Sequence, residues 1–175
     1  MLTNLNVHHN ALTILDVSNN TALTHLSCSQ QAGNQLTDLD ISNNTALTHL
    51  DCGDNHGLTS IDVSNNTALT RLAVYSCEIT SLDISNNAAL EELYCNENQI
   101  TSLDVSNNPN LFKIWCYNNQ LTSLDVSNNT ELTTMYVQNN QLTSLDLSSN
   151  TALTNLNCYN NELTSLDVSS NTSLT

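Results

Sequence analysis

A β-rich solenoid of about eight stacked 21-residue coils is the fold this sequence predicts, and three observations predict it. An eleven-residue half, typified by Leu121-Thr-Ser-Leu-Asp-Val-Ser-Asn-Asn-Thr-Glu131, recurs from residues 12, 36, 58, 79, 100, 121, 142 and 163. Second halves of the form Leu-x-x-Leu-x-(Cys/Val)-x-x-Asn-x fill the gaps, starting at residues 2, 23, 47, 69, 90, 111, 132 and 153. Each half carries apolar residues at its first, fourth and sixth positions. Alternation across the fourth and sixth predicts a short strand with one face inward. A single coil cannot bury that face alone, so the coils must stack.

Two second halves are longer than the rest. Leu23 to Gln35 holds three extra residues around Gln31-Ala32-Gly33, and Leu47 to Gly57 holds one. Both insertions are expected as bulges at a turn. The whole chain, 1–175, then forms one solenoid. Leu2 begins in mid-unit and Leu174-Thr175 opens another second half, which leads us to expect an uncapped piece of a longer protein.

Composition narrows the function. Seventeen acidic residues face only Arg71 and Lys113, and a formal charge of −15 repels phosphate backbones and anionic lipid surfaces. No apolar run approaches the roughly 18 to 20 residues of a spanning helix. Neither nucleic acid binding nor membrane insertion is expected. Met1-Leu2-Thr3-Asn4 lacks the charged and apolar regions of a signal peptide. Catalysis has little support either, because the chain holds no glycine-rich phosphate loop, no Ser-His-Asp spacing and a cysteine set that reads as buried.

Comparing the copies within the chain separates scaffold from candidate site. Asp16, Asp40, Asp62, Asp83, Asp104, Asp125, Asp146 and Asp167 form one column, each followed two residues later by Ser. Stacked carboxylates repel unless they are hydrogen-bonded, solvated or bridged by cations. The preferred reading is a bond to the adjacent Ser or backbone; weak calcium binding is the alternative, without the loop motifs that would make it strong. The ninth position is Asn in every first half, from Asn20 to Asn171, and in most second halves: Asn10, Asn55, Asn98, Asn119, Asn140 and Asn161. These amides are expected to satisfy backbone groups at the turns of neighbouring coils. Near Asn34 the insertion blurs the column, and Cys77 replaces Asn in the fourth coil.

Cys28, Cys52, Cys95, Cys116 and Cys158 share the inward sixth position with Val7, Val74 and Val137. Exchange with valine means that volume and apolarity are what matter there. A buried reduced ladder is the main reading, with a disulfide between Cys28 and Cys52 or Cys95 and Cys116 as the alternative. Metal binding fits poorly, because a line interrupted by valines does not converge on a tetrahedron. His25 and His49 in adjacent coils, near Asp51, lack a fixed third ligand and read as surface residues. The Asn-x-Ser/Thr sequons at Asn19, Asn43, Asn65, Asn128 and Asn171 are generated by the repeat itself.

Leu90-Glu-Glu-Leu-Tyr-Cys-Asn-Glu-Asn-Gln-Ile100 nearly quotes the leucine-rich-repeat pattern, and the match covers essentially the whole chain. Units of 21 residues with a recurring inward cysteine resemble those of bacterial internalins that carry a cysteine ladder, and of related secreted bacterial repeat proteins. The resemblance implies a right-handed curved stack, parallel strands on its concave side, a convex side of short strands, turns or 3-10 segments, and little or no α-helix. It also implies secretion or display on a bacterial surface.

Recognition is expected where the copies differ. The third, fifth and seventh positions of the second half vary and should point out from the concave strand. Every Tyr and the only Trp fall in the fifth and seventh columns. Tyr75, Tyr94, Trp115, Tyr117, Tyr136 and Tyr159, with Arg71 and Lys113 from the third column, are therefore the candidate partner-binding residues. Exposed aromatics that merely brace neighbouring strands are the alternative reading of the same pattern. A protein or glycan is the expected partner, and no cofactor is expected. A structural repeat that assembles head to tail through uncapped ends is the competing function. Ice binding, raised by the column Thr13, Thr37, Thr59, Thr80, Thr101, Thr122, Thr143 and Thr164, is more remote, since paired Thr columns are not clear.

Overall fold

The computed structural model describes residues 1–29 and 34–175. Eight three-residue strands, one per second half, run in parallel and in sequence order across a single sheet: β1 Asn4–Asn6, β2 His25–Ser27, β3 His49–Asp51, β4 Arg71–Ala73, β5 Glu92–Tyr94, β6 Lys113–Trp115, β7 Thr134–Tyr136 and β8 Asn155–Asn157. The chain is a solenoid of about seven turns, and the described residues contain no helix. Strand register follows the repeat: Leu26 lies opposite Leu50, and Leu93 opposite Ile114. In the inner coils the inward columns are closed to solvent; Leu47, Leu69, Leu90, Leu111 and Leu132 are all 0% exposed.

The first halves form no strand, contrary to the symmetric expectation that both halves would. Their backbone is satisfied locally instead. The carboxylates of Asp16, Asp40, Asp62, Asp83, Asp104, Asp125, Asp146 and Asp167 each accept the N–H of the Ser two residues on, at 2.9 Å. Three residues beyond the sixth position of each first half, a Val, Ile or Leu, a tight turn closes, as in Asn108 N–H to Val105 C=O at 3.1 Å.

Two columns of amides take over the inter-coil role. In first halves the Asn side chain donates twice to the preceding coil, as Asn108 does to Ile84 C=O (3.1 Å) and Asn87 C=O (2.9 Å). In second halves it also accepts: Asn98 donates to Val74 C=O (2.8 Å) and receives the N–H of Ile79 (3.0 Å). Asn34 joins this second column, bonding Cys28 C=O (2.9 Å) and accepting from Leu12 N–H (3.0 Å). Cys77 substitutes in part, its thiol pointing at Cys52 C=O (3.6 Å) and Tyr75 C=O (3.5 Å). A further ladder was not anticipated: the hydroxyls of Thr24, Thr48, Thr70, Thr133 and Thr154 each donate to the second-position carbonyl of the coil before.

The single-residue insertion is a turn, as expected: Asn55 keeps its ladder place, and Leu58 N–H closes onto Asn55 C=O at 2.9 Å around exposed His56 and Gly57. The bulge expected around Gln31-Ala32-Gly33 lies outside the described residues. All six cysteines are free thiols; Cys28, Cys52, Cys95 and Cys116 are fully buried, Cys77 is buried beside them, and Cys158 is half-buried in the last coil. Burial pushes the Cys95 thiol up to about 12, so it stays protonated at neutral pH.

The Asp–Ser turns make stability depend on pH. In Asp16, Asp40, Asp62, Asp83 and Asp104 the Ser hydroxyl, followed by its N–H, holds the carboxyl below its ordinary value; in Asp125, Asp146 and Asp167 the N–H leads. Folding with a depressed carboxyl pKa releases protons, so this stability is present above the unfolded value of about 4 and is lost as pH falls through the folded values. The melting temperature is expected to drop below about pH 4. Asp104→Asn should make that drop shallower; an unchanged slope would mean that the turn carboxylates carry no linkage.

Candidate functional site

Outward columns of β1 to β6 and the residues just after them enclose a groove of about 870 Å³ on the sheet face. Tyr75, Tyr94, Trp115, Tyr117 and Arg71 line it; Lys113, Tyr136 and Tyr159 do not. Tyr159 stands apart in the last coil, 58% exposed. Fifth-position side chains are less open than their column suggested, since Tyr94 is only 8% exposed. They lie flat enough to pack on one another across the strands.

Register explains that packing. Tyr94, Trp115 and Tyr136 face one another directly on β5, β6 and β7. Tyr136 stacks on the indole with centroids 5.3 Å apart and planes 12° from parallel, while Tyr94 meets it from the other flank at 5.0 Å and 87°. Stacked and edge-to-face pairs are the two geometries that ring quadrupoles favour. Tyr136 therefore covers one face of Trp115, and the contact with Tyr94 is edge-to-face. The indole Nε1 is buried without a hydrogen-bond partner among the described residues.

Glu92, which the third column also offered, is the neighbour that joins these side chains. It binds the Arg71 guanidinium at 2.6 Å, accepts the Tyr94 hydroxyl, and lies 3.9 Å from the Lys113 ammonium. Arg71 also reaches Tyr94 Oη at 3.0 Å and sits 4.4 Å over the Tyr94 ring. Burial first, and then the bond to Glu92, raise the Tyr94 phenol above its ordinary value. Both cations of the chain are thus turned onto one carboxylate, a side-chain pairing that the third column's spacing could have suggested.

Beside this cluster, Tyr75 lies across Gly53, where an added Cβ would fall 2.6 Å from the ring. Glycine is needed there for close approach rather than for backbone freedom. Asp51 accepts the Gly53 N–H at 3.3 Å, and Asp54 N–H donates to Tyr75 C=O at 2.8 Å. Burial pushes the Asp51 carboxyl above its ordinary value, against bonds from Gly53 and Ser29 and the charge of Arg71. Asp54 holds φ at 57°, a left-handed conformation shared in its column by His9, Ser76, Glu97, Asn118, Asn139 and Asn160, and one to which Asn and Asp adapt best. His25 and His49 stack face to face at 4.3 Å, each Nδ1 turned to the hydroxyl of the preceding Thr.

The LVIVD repeat family matches residues 6–28, little more than one coil. No curated protein sequence matches the chain. Among solved structures, the functional domain of InlJ from Listeria monocytogenes, which includes a cysteine ladder, superposes with a TM-score of 0.88 at 39% identity, over 99% of this chain and 42% of that one. A leucine-rich-repeat protein of Leptospira interrogans gives 0.87 at 26% identity, over 99% of this chain and 46% of that one. The Listeria monocytogenes internalin InlF gives 0.84 at 24% identity, over 99% and 60%, a likeness of fold alone. The chain spans less than half the length of the first two.

Proposed function

We propose that this leucine-rich-repeat solenoid, a structural neighbour of the internalins, is a recognition or adhesion module of a bacterial surface or secreted protein. Its binding face is the groove over the sheet, and its partner is a protein or a glycan. One observation carries the reading: every Tyr and the only Trp stand on the face where the copies differ, while the opposite face repeats nearly unchanged. Scaffold positions must repeat for coils to stack; positions facing a ligand need not. Tyr75, Tyr94, Trp115, Tyr117 and Arg71 are the contact residues, with Lys113, Tyr136 and Tyr159 extending the face along the later coils. Binding, not catalysis, is the activity this arrangement serves.

The test is a screen of the chain and its Trp115→Ala variant against arrays of extracellular proteins and glycans, with circular dichroism showing both folded. Removing the middle ring of the row should weaken a genuine hit at least about tenfold, as truncation of a central aromatic anchor does. A hit that the folded variant retains at equal affinity rules out this face as the site.

A further inference from the structure

The Arg71 cluster is a complete arrangement of ring, cation and carboxylate: Arg71 lies 4.4 Å over Tyr94 and 2.6 Å from Glu92. One coil earlier the same groove holds a ring and carboxylates without the cation. Tyr75 lies on Gly53, flanked by Asp51 and Asp54, and no cation or other aromatic ring is placed on it among the described residues. Asp51 is half-buried, and Asp54 is tied by its backbone to Tyr75. Glu97 adds a third carboxylate to the groove wall, held by the Ser76 hydroxyl at 3.0 Å. The one guanidinium in the lining, Arg71, is already engaged by Glu92. A carboxylate drawn partly out of water gains most from an opposite charge close by, and a cation over an aromatic face adds to that gain.

We propose that the groove takes a basic segment of a protein partner, seating an arginine or lysine side chain on Tyr75 between Asp51 and Asp54. The inference rests on reading the groove as the binding face and narrows the partner to a protein that presents basic side chains. A sugar ring finds one Trp115 face already covered by Tyr136, which favours a protein partner over a glycan.

A chain of charge −15 attracts any polycation, so the experiment must separate the groove from the rest of the surface. Fluorescein-labelled hexa-arginine is titrated by anisotropy at about 0.15 M salt, where exposed charges are screened beyond roughly 8 Å. Three proteins are compared: the wild type, Asp51→Asn/Asp54→Asn, and Asp104→Asn/Asp125→Asn, which removes the same charge from the opposite face. Asn keeps an acceptor for the Gly53 N–H and suits the left-handed position at Asp54, so the groove variant should fold. The groove pair is expected to weaken binding about tenfold or more, as loss of a close charge partner does, and the other pair by no more than about twofold. Equal losses in both variants, or no binding by the wild type, overturn the proposal. If hexa-arginine fails while a Trp115-dependent glycan or neutral protein hit is found, the recognition reading stands and the basic partner falls.

Discussion

Asn108→Asp is expected to destabilise the chain by about 3–5 kcal/mol at pH 7, as an uncompensated buried carboxylate does, although the replacement preserves size and shape. The wild-type amide is fully buried and donates to two carbonyls of the preceding coil, Ile84 and Asn87. A carboxylate in its place turns oxygen against oxygen and has no proton to give. Protonation relieves the conflict, so the introduced group's folded pKa must lie above its unfolded value of about 4. The deficit is then full above the folded pKa and shrinks as pH falls towards about 4, the reverse of the dependence set by the Asp–Ser turns. Urea unfolding of both proteins between pH 4 and 8 checks this. A constant deficit across that range would mean that the column acts by packing rather than by donating hydrogen bonds.

Leu93→Ala is the second large effect. Leu93 is 0% exposed on β5 and lies opposite Leu72 and Ile114, so truncation leaves a cavity that stacked coils cannot close without breaking the sheet register. About 3–4 kcal/mol is expected, against about 1–2 kcal/mol for Leu156→Ala in the last coil, where the same column is only partly buried. Chemical denaturation of the two variants measures the contrast. Similar losses at both sites would show that coil stacking is not what buries the leucine column.

The scaffold was legible in the sequence because repetition reveals it. Eight aligned copies identify the Leu, Asn, Asp and Cys/Val columns, and the structure gives each a bond or a packing role. Legibility failed where local bonding breaks the symmetry of the two halves. The first halves carry the same apolar pattern as the strand-forming halves but close into Asp–Ser turns, with Asn108 N–H on Val105 C=O, where the second halves run as strands. The Thr ladder was overlooked because Glu91 and Phe112 interrupt its column in the middle coils.

The candidate site was legible only as a list of columns. Which rings touch depends on side-chain directions across three strands, and positions that vary from copy to copy carry no periodic signal. Glu92 gathers Arg71, Tyr94 and Lys113 from three successive strands, a convergence that only parallel register creates. The Tyr75–Gly53 contact likewise joins residues at the seventh position of successive coils, brought side by side by the register of β3 on β4.

The central claim is that ligands are bound on the groove face, and the chain's single tryptophan reports on that face directly. The measurement is Trp115 emission during titration with a ligand whose affinity has been fixed independently by calorimetry. The account predicts that the emission shifts and saturates with the same affinity. Calorimetric binding that leaves Trp115 emission unchanged, and that is lost on altering Thr101 and Asp104 on the opposite face, would contradict it.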